Sequence, residues 1–411
     1  MRTRTGIAGG AAAAVLLTLA MTGTAQADTN VGNNTTFVAV GSDTTQDVVE
    51  GLSAAITSGG NPVISNYKAT PVGRTISTRS ADADCTLTVP RGSNEGRDAL
   101  SAAMRAASYA GTGAATPVTS PDMTGCVNVA RSSSGSNPTT SPGVGTMTYI
   151  PFATDAVTVA TRQTSTAPHK YTLTFLKSLY AANGTPGTAA CFNLSPLLPS
   201  TGSGTRSFFV GNVLGLTDYD FDLPGVTVPG TPHPGSCVRD TTDGSIPADT
   251  TAYNNTPRIQ EHDGRFLTTG TQLVPFSVAQ YLSQQSAVIT DIRGSSSMAS
   301  IDFTSTTNTV SNSTLIAPAL LNSGGTVASS GFSGPVGNAT RPVYNVVATT
   351  AIDSTFTPPA GSTQVNYLTV DALMQATFVG GSSSVCSATS LIHLYGFATR
   401  SDCGSITKRN T

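Results

Sequence analysis

Four short loops of small hydroxyl residues and glycine, three of them carrying an arginine, hold the side chains best suited to chemistry. They are Gly41-Ser42-Asp43-Thr44-Thr45, Gly92-Ser93-Asn94-Glu95-Gly96-Arg97, Arg131-Ser132-Ser133-Ser134-Gly135 and Gly202-Ser203-Gly204-Thr205-Arg206. The chemistry they suit is capture of an oxyanion. Small side chains let backbone N–H groups and hydroxyls reach a bound anion, and a helix starting beyond the loop adds the positive end of its dipole. Catalysis has less support, because there is no G-x-S-x-G elbow and His169, His233, His262 and His393 stand outside these loops. No catalytic residue, metal ligand or cofactor is expected.

The elements that must position the loops are short and alternating. Phe37 to Val40 reads as a strand, and Thr45 to Ile56 as a helix with Val48, Val49, Leu52 and Ile56 on one face. The second loop opens a helix from Arg97 to Ala107, and the third follows a strand from Cys126 to Ala130. Two strands, Met147 to Pro151 and Ala156 to Ala160, are joined by Phe152-Ala153-Thr154-Asp155. Helices are expected at Leu173 to Ala182, Thr205 to Leu214, Ser277 to Gln285, Val370 to Phe378 and Ala388 to Tyr395, with strands at Val274-Pro275-Phe276 and Val343 to Ala348. This alternation predicts α/β architecture.

The whole chain bounds the reading further. Its 411 residues carry a net charge of −2, with 11% charged residues, so there is no basic field for nucleic acid. Residues 1–27 read as a secretory signal: Arg2 and Arg4, an apolar run from about Ala11 to Met21, and Ala25-Gln26-Ala27 as cleavage site. The mature chain then begins at Asp28 and is expected outside the cell, with no lipid-anchor cysteine at the cleavage point. Six cysteines in an exported chain suggest three disulfides, and separation into regions favours Cys85–Cys126, Cys191–Cys237 and Cys386–Cys403.

Other candidates have plainer readings. Asp218-Tyr219-Asp220-Phe221-Asp222 alternates carboxylates as a calcium loop does, but Leu223 and Pro229 stand where glycine and glutamate are needed. Glu261-His262-Asp263 can be read as an acid–base cluster or a metal pair, but neither the neighbouring spacing nor an H-E-x-x-H pattern supports metal and it reads better as a polar turn. Asp43 suits a helix cap as well as a ligand contact, and Arg97 and Arg206 suit a solvated surface. Arg131 follows an apolar strand directly, which places it where ligands bind in α/β lobes.

Taken in order, Ala39-Val40-Gly41-Ser42-Asp43-Thr44-Thr45-Gln46, Tyr149-Ile150-Pro151-Phe152-Ala153-Thr154-Asp155-Ala156-Val157, Gly202-Ser203-Gly204-Thr205-Arg206-Ser207-Phe208 and Val274-Pro275-Phe276-Ser277-Val278-Ala279-Gln280-Tyr281 resemble type 2 periplasmic binding proteins. The likeness is to phosphate-binding subunits of ABC transporters, particularly a secreted actinobacterial branch, over roughly Thr36 to Phe397. It implies two lobes joined by a hinge, with the ligand in the cleft between them: 28–155 as the first part of lobe one, 156–285 as lobe two, and 286–411 returning to lobe one with a Ser/Thr/Gly-rich insertion at 303–340. A second insertion spans 218–255. The ligand implied is phosphate or another small oxyanion such as sulfate or a phosphate ester. An ABC-transporter permease is the further partner the family suggests, with the protein itself a monomer.

The resemblance carries Thr44 with Thr45, Ser93, and Ser203, Gly204 and Thr205 into the site, and Ser42 lies beside them. Two family features are missing. Ser132 beside Arg131 stands where the family has an acidic group, and the arginine upstream of the fourth loop falls near Pro199. Asp43 is then the expected acceptor, and Arg131 or Arg206 the expected cation. The rival readings are a secreted hydrolase, and a surface protein that has kept the fold without its ligand.

Overall fold

The apolar run Phe37–Gly41 forms strand β1, every residue of it buried, and the Gly-Ser-Asp-Thr turn delivers the chain into helix α1, Gln46–Ala55. Val48, Val49 and Leu52 sit on the inward face of α1, each worth about 1.5–3 kcal/mol when fully buried. Strand β2 (Ile64–Asn66) pairs parallel with β1. Helix α2 spans Ser93–Arg105, starting four residues before the position expected from periodicity. Gly92 is its cap, and Glu95 lies in its first turn, where a carboxylate favours the helix dipole.

Strand β3 (Val129–Ser132) lies parallel to β1 with Gly41 opposite Arg131, so the first and third loops leave the same edge of the sheet. The computed structural model describes residues 28–32, 36–71, 73–111, 117–135, 146–163, 168–200, 202–216, 235–240, 252–253, 256–257, 259–303, 305–306, 310–311 and 339–410. The expected signal at 1–27, the calcium-like run at 218–222 and most of both insertions fall outside these residues.

One strand, β4 (Met147–Arg162), replaces the two strands expected there. Nothing in Phe152-Ala153-Thr154-Asp155 forces a turn, and a register shift between Pro151 and Ala153 absorbs the irregularity as a bulge, a place where proline's missing donor is tolerated. Then follow α3 (Leu173–Tyr180), β5 (Ser195–Pro196), and α4 (Gly204–Phe208), which runs on as a π-helical stretch, Phe209–Leu214. Strand β6 (Gln272–Ser277) passes directly into α5 (Val278–Gln285), and β7 (Ser296–Met298) precedes the long β8 (Thr340–Ala348). Short helices, including α6 (Ala372–Phe378, capped by Asp371) and α7 (Thr389–Leu394), close the chain.

The main sheet has the order β5-β6-β4-β8-β3-β1-β2, with β7 also paired to β4. Strand β4 does double duty. Its first part, Met147 to Ala156, pairs antiparallel with β8, and Val157 to Thr161 pairs with β6. Two apolar clusters form the core. One cluster gathers β1, α1, α2, β3, the first part of β4 and the C-terminal helices. The other gathers Val157, Val159, Tyr171, Phe175, Leu176, Leu179, Tyr180, Phe209 and Val213. The fold is therefore α/β with two cores that share β4. The chain first reaches the second cluster at Val157 of β4, and from Ser277 on α5 packs on the first; between these points β4 and β6 face both, with Val159 and Leu273 in the second cluster and Ala160, Val274 and Phe276 in the first.

The three disulfides pair as the spacing suggested: Cys85–Cys126, Cys191–Cys237 and Cys386–Cys403. On a chain-entropy view, loops of this size stabilise the fold by about 3–4 kcal/mol each. Cys126 lies just before β3, so the first bridge also pins the approach to the third loop.

Candidate functional site

The C-terminal ends of β1 and β3 bring Ser42, Thr44 and Ser133 together. Ser42 Oγ donates to Ser133 Oγ at 3.0 Å, and Thr44 Oγ1 lies 3.2 Å from the same oxygen. Ser93, the first residue of α2, lies 3.3 Å from Ser133 Oγ and accepts from the Ser133 N–H at 3.0 Å. From the other core come Gly204 and Thr205, with Thr205 Oγ1 at 3.4 Å from Thr44 Oγ1. Gly204 lets the chains approach closely: a Cβ there would press on Ser133 Oγ and Ser93 Oγ, which would have to turn aside from their present hydrogen bonds. All these hydroxyls are buried.

Arg341, at the start of β8, supplies the guanidinium. Its Nη2 donates to Thr205 Oγ1 at 2.8 Å and to Thr44 Oγ1 at 3.3 Å, while Nε and Nη2 hold Asp155 Oδ2 at 3.0 and 2.8 Å. Asp155 sits where β4 crosses between the cores. Its other oxygen accepts from Ser277 Oγ at 2.8 Å and from the Ala279 N–H at 3.1 Å, so one carboxylate ties both crossings to Arg341. Arg341 Nη1 is buried and has no hydrogen-bond partner. Gln280 Nε2 donates to the Thr44 carbonyl at 2.7 Å, closing α5 onto the first loop.

The turn Glu261-His262-Asp263 enters this cluster instead of lying apart from it, which corrects the sequence reading. Backbone at His262 is left-handed, with φ +59°, and Gln284 Nε2 holds its carbonyl at 2.9 Å. Glu261 Oε2 accepts from Thr205 Oγ1 at 2.8 Å and Thr44 Oγ1 at 3.1 Å, and lies 3.0 Å from His262 Nε2. Burial pushes the Glu261 carboxyl up, but hydrogen bonds, that of His262 first and then those of Asp43 and Ser203, outweigh it and hold the group below its usual range. Asp43 goes the other way: burial, then the neighbouring Glu261 charge, raises its carboxyl well above the ordinary value. Asp43 Oδ2 accepts from Gln260 Nε2 at 2.8 Å, and Oδ1 is buried without a partner, 4.0 Å from His262 Nε2.

Asp43, Glu261 and His262 place one donor atom each within 4.8 Å of one another, the reach of a metal ion. The imidazole tautomer speaks against that use. The Ser277 N–H points at His262 Nδ1 at 3.4 Å, which makes Nδ1 the acceptor and leaves the ring proton on Nε2, facing Glu261. A metal ligand, or a general base for the Thr44 hydroxyl 3.0 Å away, needs the Nε2 lone pair.

Of the remaining expected residues, Ser203 caps α4, accepting from the Arg206 N–H at 2.9 Å. Thr45 is buried at the start of α1 with its hydroxyl unpaired. Ser132 turns to Arg97, whose Nη1 donates to it at 3.1 Å. Neither expected cation faces the cluster. Arg131 donates to the carbonyls of Ala39, Gly41 and Ser42 and to Asn66 Oδ1, while Arg206, buried rather than solvated, pairs with Asp240 and the Pro199 carbonyl. Arg341, Asp155, Ser133, Glu261 and His262 were missed. The available signal was a charge beside an apolar strand in a chain poor in charges, which has to find a partner when it is buried.

The chain is similar to an ABC-type phosphate transport receptor from Vibrio cholerae, at 11% identity and a TM-score of 0.44, over 89% of this chain and 100% of that one. It is similar to a putative phosphate ABC transporter substrate-binding protein with bound phosphate from Clostridium perfringens, at 12% identity and a TM-score of 0.44, over 89% and 99%. No family model and no curated protein sequence matches the chain.

Proposed function

We propose that this chain is an exported solute-binding protein that holds a small oxyanion, phosphate first among them, between its two cores and does no chemistry on it. The observation that carries this reading is the Arg341 guanidinium. A buried guanidinium N–H without an acceptor is costly, as at Nη1, and Nη2 of the same guanidinium reaches hydroxyls from both cores, Thr44 and Thr205. Ser42, Thr44, Ser93, Ser133 and Thr205 supply neutral donors around it, and charge-assisted bonds to an oxyanion are about twice as strong as neutral ones. The loop motifs of type 2 binding proteins agree with this reading. His262 in its present tautomer offers no base to Thr44, which favours binding over hydrolysis.

Export rests on the signal-like residues 1–27 and on three disulfides, which persist in oxidising compartments. Among the described residues no helix is long and apolar enough to cross a membrane. Delivery to a permease, and action as a monomer, follow from the same family reading. Asp43, whose carboxyl is raised by burial and by Glu261 and so keeps its proton, is proposed as a hydrogen-bond donor to the ligand instead of the acceptor expected from the sequence.

A second reading has its own observation. Glu261 already fills part of the cradle, as it would in a protein that has kept the fold and given up the ligand. Calorimetric titration of inorganic phosphate into mature protein, unfolded, stripped and refolded with its disulfides intact, separates the two. Saturable one-to-one binding at micromolar affinity, about 8 kcal/mol, supports the receptor. No heat from folded protein rejects phosphate as the ligand.

A further inference from the structure

We infer that Glu261 is a built-in occupant of the oxyanion cradle, and that an arriving oxyanion binds by exchange with its carboxylate; this rests on the oxyanion reading above. One carboxylate oxygen, Oε2, takes the Thr205 hydroxyl at 2.8 Å, the Thr44 hydroxyl at 3.1 Å and His262 Nε2 at 3.0 Å. Thr44 and Thr205 are the two hydroxyls that also receive Arg341 Nη2. The donors that would solvate an external oxyanion are therefore solvating an internal one.

Both anions cannot use the same donors, and two negative groups in one buried site repel strongly because little water screens them. Glu261 is held by hydroxyls and by its neighbour His262, with no arginine or lysine among its described ion pairs. The Arg341 guanidinium is committed to Asp155 through Nε and Nη2, and the described ion-pair partner of Glu261 is His262 of its own turn. The pair can thus leave the cradle together without breaking the Asp155–Arg341 bond that ties the two crossings. The turn sets the affinity of the site by competing for it.

The test compares the parent protein with Glu261→Gln, which keeps the shape and removes the charge, and with Glu261→Ala, which empties the position. Glu261→Asp serves as the variant of choice should Glu261→Gln fail to fold, since it keeps the charge and withdraws it by one methylene. Folding is checked by thermal unfolding, and inorganic phosphate and formate are titrated separately. The expected result is phosphate binding at least ten-fold tighter in Glu261→Gln than in the parent, with a smaller gain in Glu261→Asp, and saturable formate binding in Glu261→Ala that the parent lacks. Phosphate binding in the parent that is unchanged or weakened in Glu261→Gln overturns the inference, because the carboxylate would then be part of the ligand shell. Formate uptake by Glu261→Ala with no phosphate binding in any form retires phosphate but leaves the exchangeable carboxylate standing. Uptake of neither anion by a folded Glu261→Ala overturns it.

Discussion

Arg131 and Arg341 are both fully buried guanidiniums at the edge of the same cluster, and they do opposite work. Arg131 spends its donors on neutral oxygens: Ala39 O at 2.8 Å, Asn66 Oδ1 at 2.7 Å, Gly41 O at 3.1 Å and Ser42 O at 3.3 Å. It is a strut for the first loop, and burial pulls its pKa down to about 10. Arg341 faces a carboxylate and two hydroxyls and keeps Nη1 unsatisfied. A saturated guanidinium builds a loop, whereas one with a buried N–H to spare keeps a place for an acceptor. Burial alone does not tell a scaffold cation from a ligand cation; the census of its acceptors does.

The largest expected effect breaks the Arg341 side of this contrast. Arg341→Met should lower phosphate affinity by 100-fold or more, and leaving Asp155 buried without its partner should cost about 3–5 kcal/mol of stability. Calorimetry and urea unfolding read the two effects separately. Arg131→Met should do the reverse, costing about 2–4 kcal/mol of stability through stranded loop acceptors. Affinity measured on the protein that remains folded should change by less than about three-fold, since no ligand donor is lost. If Arg131→Met abolished binding and left stability intact, the division between strut and ligand cation would be wrong.

This contrast also marks what the sequence could reveal. The cysteine pairing, the four loops and most strands and helices were legible because each follows from local pattern: apolar period, turn residues, regional separation; the unbroken β4 and the start of α2 at Ser93 were not. Ser42, Thr44, Ser93, Gly204 and Thr205 do come together, since small residues after a strand or before a helix lie at element ends wherever the fold takes them. Arg341 was not legible, because its partners Asp155, Thr205 and Thr44 stand 186, 136 and 297 residues away. Arg131 was chosen because it follows a strand at the expected edge. Sequence position gave its backbone correctly and could not say that its side chain would turn back to the carbonyls. Glu261 and His262 were set aside as a turn, which they are; that the turn plugs a cleft depends on contacts over 200 residues long.

Smaller changes sharpen the geometry around Arg341. Gly204→Ala places a methyl against Ser133 and Ser93, so stability should fall by about 1–3 kcal/mol and phosphate affinity should fall with it. Ser203→Ala removes the cap that accepts the Arg206 N–H and should cost about 1 kcal/mol of stability, with affinity following only as far as the start of α4 frays. Comparing the two variants separates crowding of the cradle from loosening of the helix that presents it.

The smallest expected effect concerns Asp43 and is a matter of sign with pH. Burial and the Glu261 charge raise the Asp43 carboxyl in the folded chain, so the folded state holds a proton that the unfolded chain releases near its ordinary value of 3.8. Stability from this group is complete below that value and is lost as pH rises through the raised one. Glu261, held low by His262, runs the opposite way, its contribution present above its ordinary value of 4.5 and lost as pH falls. Asn cannot titrate. Asp43→Asn should therefore gain on the parent as pH rises from 4 toward 8, while the loss on the acid side due to Glu261 persists in both. Thermal unfolding across that range reads the difference directly. A difference that stays flat from pH 4 to 8 would mean that Asp43 is ionised in the folded protein like any exposed carboxylate. The cluster would then hold two charged carboxylates beside the one Arg341, and a divalent cation at Asp43, Glu261 and His262 would become the better account of how they coexist.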